Sequence, residues 1–365
     1  MLNSQKELKD PTIIRHRMYL LFLILETIVI CLSIFVSGLF TYYDDNLGTN
    51  KDIVDFSSGW VNSQGNAVNL NDVDSSITLY HELPSSIEDE TLYMGVSTGN
   101  VMITVDERLL YFTNNVKTKV FGRTPGFSHV FVTISPELAG KTVCVSITNP
   151  YSDHSTKISD VLYGDGVQIV KKQMSKRFMG FVMSVVISVT GFLCIVVYHF
   201  VKNKSKDSKQ WRYMGFFAMN AGLFLAFDSK LPALLYRAEP VFHLNAEFWH
   251  MLIVFPIMMF FSKQYQQRKN IIPTIICVAS LLNVIVSLVL KGFFYIDLHQ
   301  SVIGNHIIFV ATICCFLYGV ISDNIKHPGR NTFINFGLII MGFCVIIDVI
   351  FYYRNTYLQT SAYST

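Results

Sequence analysis

The side chains best placed for chemistry are acids and histidines within or beside strongly apolar runs: Asp228, Glu247, His250, Asp297, His299, His306 and Asp348. On a helix, Glu247 and His250 lie one turn apart on one face, and His299 and His306 two turns apart if their helix begins that early. A charge at the centre of a membrane helix costs roughly 2.5–3.5 kcal/mol, so such groups face a bundle interior or water. Gathered there, carboxylates and imidazoles make a polar pocket that receives a signal or binds a small ligand or ion. Set at helix ends near the interface, the same groups cost little and need no function. Asp228, Glu247, His250, His306 and Asp348 form the candidate cluster. No His/Cys spacing suggests a metal site, and no nucleophile elbow, P-loop, dinucleotide fingerprint, HExxH or GGDEF sequence occurs. No catalytic residue and no cofactor is therefore expected.

A second set is aromatic: Trp60, Tyr80, His81, Tyr93, Tyr111 and Tyr151, all in the polar middle of the chain. Exposed rings on a β-sheet stack well on a sugar, which makes Trp60, Tyr80 and Tyr111 candidate ligand contacts. Rings at alternating strand positions also build cores, and the pattern allows both. Glu26 in the first apolar run and Pro256 in a later one are the other unusual positions; a proline there removes a helix bond and bends the helix.

The elements that must position these residues follow from composition. Of 365 residues, 51% are hydrophobic and 15% charged, where a soluble protein carries about 25% charged. Mean hydropathy is +0.39. A chain with so few polar groups cannot cover a soluble globule, so this is a membrane protein. A net charge of +3 with no basic run gives no reason to expect nucleic acid.

Residues 18–43 form the first long apolar run, longer than a signal peptide's core of roughly 7–15 residues. They suffice to cross a ~30 Å hydrocarbon layer and are read as an uncleaved anchor. Lys6, Lys9, Arg15 and Arg17 keep residues 1–17 cytoplasmic. Residues 44–170 instead show short alternating runs, such as Val101–Val105 and Val143–Ile147, between turn clusters. That punctuation predicts an extracellular all-β sandwich, jelly-roll-like. Six of the seven cysteines fall in apolar runs, so Cys144 has no disulfide partner in this region, which favours a bacterial surface.

From residue 178 to 352 the apolar runs return, with spans near 178–201, 213–235, 246–262, 271–292, 302–321 and 332–352: a six-helix bundle. Lys202, Lys204, Lys206, Lys209 and Arg212, then Lys263, Arg268 and Lys269, then Lys326 and Arg330 mark alternate connections as cytoplasmic. Lys171, Lys172, Lys176 and Arg177 oppose that assignment, but they follow a large translocated domain, where the rule is weak. Parity then places residues 353–365 outside.

These features resemble the bacterial seven-transmembrane receptors with diverse intracellular signalling modules, in the form found ahead of GGDEF diguanylate cyclase domains in Firmicutes. The resemblance rests on Ile103–Tyr111 with its central Asp106-Glu107, on Pro125–Val130 and Leu138–Lys141, and on Tyr163-Gly164. In the bundle it rests on Met214–Gly222 through Asp228, on Phe255-Pro256-Ile257, on Asp297 to His306, and on Asp348 with Tyr352-Tyr353. It implies the input region of a transmembrane receptor in the bacterial cytoplasmic membrane, its ectodomain sensing a ligand, with carbohydrate one candidate class. It also implies a seventh helix and a cytoplasmic output domain that this sequence lacks, as a truncated chain would. The partners expected are the lipid bilayer, that extracellular ligand and a second copy of the chain. The alternative is a membrane adaptor or transporter-like protein decorated by an extracellular β-sandwich.

Overall fold

A computed structural model of the protein describes residues 53–70, 76–88, 90–113, 122–123, 126–151, 156–201, 208–265, 271–329 and 331–353. The anchor 18–43 with Glu26, the segment before it and the tail from 354 lie outside the described residues.

Among the described residues, alternation of apolar and polar residues builds nine strands: β1 (Val54–Asp55), β2 (Val61–Asn62), β3 (Ser76–Glu82), β4 (Glu90–Ser97), β5 (Asn100–Val105), β6 (Arg108–Phe112), β7 (Phe127–Ile134), β8 (Thr142–Thr148) and β9 (Ile158–Gly164). They pair antiparallel in two sheets, ordered β1-β9-β4-β7 and β2-β3-β8-β5-β6. Every second residue of β5 and β8 (Val101, Ile103, Val105; Val143, Val145, Ile147) meets Leu92, Met94, Val96, Val130, Val132 and Ile134 from the other sheet in one core. The β5–β6 hairpin turns on Asp106 and Glu107, both with positive φ (53° and 63°), the two-residue geometry that matches strand twist.

The four-stranded sheet is covered on both faces. Tyr93 and Leu162 point away from the shared core and pack with Ile169 of the first helix. That helix, α1 (Gly166–Val201), follows β9 with Asp165 alone between them. Asp165 Oδ1 accepts from the Gln168 amide at 2.9 Å, satisfying a donor at the helix start. At about 1.5 Å per residue, 36 residues reach about 54 Å, well beyond a ~30 Å hydrocarbon layer. The surplus is the first three turns, which lie against the β domain. Lys176 Nζ sits 2.8 Å from Asp160 Oδ2 and Arg177 3.9 Å from the same atom, so two of the four basic residues that opposed the charge rule are tied to β9.

The remaining helices are α2 (Ser208–Asp228), α3 (Leu231–Tyr236), α4 (Glu239–Leu252), α5 (Val254–Gln264), α6 (Ile272–Phe294), α7 (Val302–Lys326) and α8 (Thr332–Tyr353), with a 3-10 turn at Leu298–Ser301 before α7. Among the described residues, four stretches are long and apolar enough to cross a membrane: Gly166–Phe200, Glu239–Gln264, Ile272–Phe294 and Leu298–Lys326. The chain is thus a membrane protein with a β domain. The run expected at 213–235 is not one helix: it stops at Asp228, because Lys230 is left-handed (φ 65°) and starts the short α3. The run expected at 246–262 begins earlier, at Glu239, and breaks at Ile253.

Helices α1 and α2 run antiparallel at backbone contact. A Cβ on Gly191 would lie 2.4 Å from the Met219 amide nitrogen, and one on Gly215 2.7 Å from the Gly191 carbonyl. Small residues at such crossings let membrane helices gain dispersion contact where no hydrophobic drive exists.

Candidate functional site at the junction of sheet and bundle

The loops after β6 and β8 converge with the α6–α7 connection on one carboxylate, Asp297. Its Oδ2 accepts the Tyr151 hydroxyl and the Arg123 amide, the latter at 3.0 Å. Its Oδ1 faces Lys291 Nζ at 3.4 Å. The same side chain caps the Leu298–Ser301 turn, while Gln300 Oε1 accepts from the Asp297 amide at 3.2 Å. Asp297 is 5% exposed and Lys291 8%, so neither charge has bulk water to fall back on. Breaking one side of such a buried pair costs about 3–5 kcal/mol.

The backbone of the β6–β7 loop can approach this closely because of glycine. Gly122 has φ +89°, and a Cβ there would lie 2.2 Å from Asp297 Oδ1; Gly126 has φ +77°, and its Cβ would meet His243 Cγ at 2.5 Å. Burial, and then the Asp297 carboxylate that accepts from it, hold the Tyr151 phenol far above its ordinary range. It is therefore a fixed donor, never a base.

Beside Asp297, Glu247 Oε1 stands 3.3 Å from His243 Nε2 and 3.7 Å from His299 Nδ1. The Tyr151 ring packs on the His299 ring at 5.2 Å. The α4 face bearing His243 and Glu247 thus meets a loop-borne aromatic of the β domain.

A second contact lies along β7, an edge strand of its sheet. Tyr93 Oη donates to His129 Nδ1 at 2.9 Å, and His129 Nε2–H donates to the Lys230 carbonyl at 3.1 Å. Burial, with the Arg177 charge adding to it, pushes the His129 pKa down to about 3. The ring is neutral at ordinary pH, as one donor and one acceptor require. Phe127 carries two cations on its ring, Lys230 Nζ at 4.6 Å and the Arg177 guanidinium at 5.6 Å from the centroid.

The residues singled out by sequence scatter across three places. Trp60 is 1% exposed and belongs to the sheet core, its indole N–H donating to the Phe56 carbonyl at 2.7 Å. Tyr111 packs against the edge of the same core. Tyr80 pairs with Val61 and Cys144 on the sheet's opposite face, since its neighbour Leu79 fills the core. Glu247 joins the junction. His250 lies inside the bundle, its ring stacked on Phe224 at 4.9 Å and its Nδ1 3.3 Å from Asn305 Nδ2, next to buried His306. Asp228 ends α2, within electrostatic reach of Lys230 at the β7 contact. Asp348 lies on α8, and its side chain is outside the described set.

Sequence reasoning missed His243, Arg123, Lys291 and Asn220 as site residues. The i, i+4 pair His243/Glu247 was the one legible signal. Among the described residues, no three His, Cys, Asp or Glu side chains gather as a metal ion requires. No protein-family model matches the chain, and no curated protein matches it.

Proposed function

We propose that this chain is the sensory input region of a bacterial transmembrane receptor. The β domain stands outside the cell and binds a ligand, with carbohydrate one candidate class. The bundle carries the change to a cytoplasmic output domain, diguanylate cyclase-like, that is not in this sequence. The observation that carries the reading is the way the β domain is joined to the helices. β9 passes into α1 through one residue, and Asp297 binds two β-domain loops to the α6–α7 connection. A domain fixed at both places moves helices when it moves, and a ligand that prefers one arrangement shifts the population.

Two further features support it. The sheet orders, with β2 set aside, are those of an eight-strand jelly roll, an architecture that serves ligand-binding domains; fold alone does not specify function. The Lys- and Arg-rich connections follow the helix ends remote from the β domain, as the positive-inside rule expects of a cytoplasmic face.

The test uses the full chain in lipid nanodiscs and hydrogen exchange read at residues 254–264 and 316–335. A panel of sugars, carboxylates and short peptides is screened for binding. The receptor reading expects a bound compound to change exchange at this remote end. Change confined to the β domain, or uptake of the compound into proteoliposomes, would overturn it in favour of the decorating-domain or transporter alternative.

A further inference from the structure

Glu239–Gln264, the second of the four membrane-length stretches, is built in two pieces. Pro256 has no N–H to give the carbonyl four residues back, and its ring crowds that carbonyl. The carbonyl is Leu252 O, at the end of α4; α5 begins at Val254, and Ile253 between them keeps helical dihedrals (φ −60°, ψ −40°). Membrane helices tolerate such a break only if the freed group finds another donor. Asn220 on α2, 7% exposed, supplies it: its Nδ2 donates to Leu252 O at 3.3 Å.

Both pieces pack on α2, but their polar and close contacts otherwise come from different parts of the molecule. α4 carries His243, against which Gly126 of the β domain is seated, and Glu247, which faces His299. α5 is locked at the remote end. Gln264 Nε2 donates to Asn331 Oδ1 at 3.0 Å, the Tyr265 hydroxyl donates to Asn335, and Phe261 fills the space a Cβ on Gly319 would need. His250, bonded to Asn305, stands within one turn of the break, where a rotation moves it little.

We infer that Leu252–Pro256 is a joint, and Asn220 its pin, about which α4 turns with the β domain while α5 stays fixed to α7 and α8. This rests on the receptor reading for its purpose but not for its geometry. α4 spans about 21 Å at 1.5 Å per residue, so a rotation of roughly 10° displaces its outer end by about 4 Å.

Spin labels on p-acetylphenylalanine at two pairs in nanodiscs measure this without touching the native cysteines. Positions 241 and 307 report the end near the β domain, and 263 and 325 the remote end. Tyr151→Phe combined with Asp297→Ala, which removes the whole carboxylate link and frees the β domain, is expected to shift the first distance by about 4 Å and leave the second unchanged; with Pro256→Ala, which rejoins the helix, both shift together. Both distances shifting together in the chain with Pro256, or neither shifting, overturns the joint. A stability cycle tests the pin. Asn220→Leu lowers the thermal midpoint when Pro256 is present and has no effect with Pro256→Ala, whose new N–H serves Leu252 O. Equal effects in both backgrounds overturn the role of Asn220. Neither measurement uses a ligand or an output, so their failure leaves the receptor reading to its own test.

Discussion

Removing one oxygen at the junction tests whether the β domain is held to the bundle by Asp297. Tyr151→Phe keeps the ring against His299 and deletes the hydroxyl that Asp297 accepts. A hydrogen bond to a charged group is worth about 1.5–3 kcal/mol, and the buried carboxylate finds no water to replace it. At about 1.4 kcal/mol per factor of ten, the docked arrangement loses roughly ten- to a hundred-fold in its equilibrium constant. The Arg123 amide and Lys291 remain, so the domain stays docked most of the time. Hydrogen exchange on the full chain in nanodiscs reads this directly: amides of residues 122–131 and 295–301 are expected to lose protection by that factor, while the cores of β5 and β8 keep theirs. Asp297→Asn is expected to do more, because Lys291 then loses its counter-charge in a buried site. Tyr80→Phe, on the outer face of the other sheet, is the control. A change of less than about two-fold at the junction in Tyr151→Phe would show that the hydroxyl does not hold the domains together.

Three further outcomes are expected. His129 is neutral when folded, with a pKa lowered to about 3 from the 6.5 of a free imidazole, so the unfolded chain binds the extra proton as pH falls between those values. The stability it contributes is complete above pH 6.5 and declines below it, by about 2 kcal/mol at pH 5. A thermal midpoint that falls from pH 7.5 to pH 5 in the wild type, and falls less in His129→Gln, is the expected result. Gly215→Leu places a side chain against the Gly191 carbonyl and is expected to destabilise the α1–α2 crossing by about 1–3 kcal/mol or more; Gly180→Leu, with open space around it, is expected to stay within about 0.5 kcal/mol. Melting in nanodiscs compares the two. Trp60→Ala empties the sheet core and is expected to cost about 3–5 kcal/mol, whereas Tyr80→Ala spares it; equal losses in β-domain melting would return Trp60 to the candidate ligand surface.

Much of the architecture was legible because its causes are local. The length of an apolar run decides whether it crosses a membrane, and period-two alternation over Val101–Val105 and Val143–Ile147 decides which residues of a strand share a face. Both readings needed only neighbours in the chain. Where a run ends is less local. The break at Lys230 comes from a left-handed residue inside an otherwise apolar stretch, and α1 begins at Gly166 because its first turns pack on the β domain rather than on lipid.

The site was legible in its residue types and not in its groupings. Glu247 and His250 share a helix turn, yet a three-residue step leaves them about 60° apart around the axis, enough to aim one at the junction and the other at α7. Trp60 and Tyr80 carry the same aromatic signal, and only the stacking of two sheets sends one inward and leaves the other outside. Tyr151 and Asp297 are 146 residues apart; no periodicity or spacing links them. That a β domain and a set of apolar helices form follows from patterns a few residues long. Which loop meets which helix end was decided by tertiary structure alone, because a carboxylate buried between two domains takes its partners from whatever the fold brings within 3 Å of it.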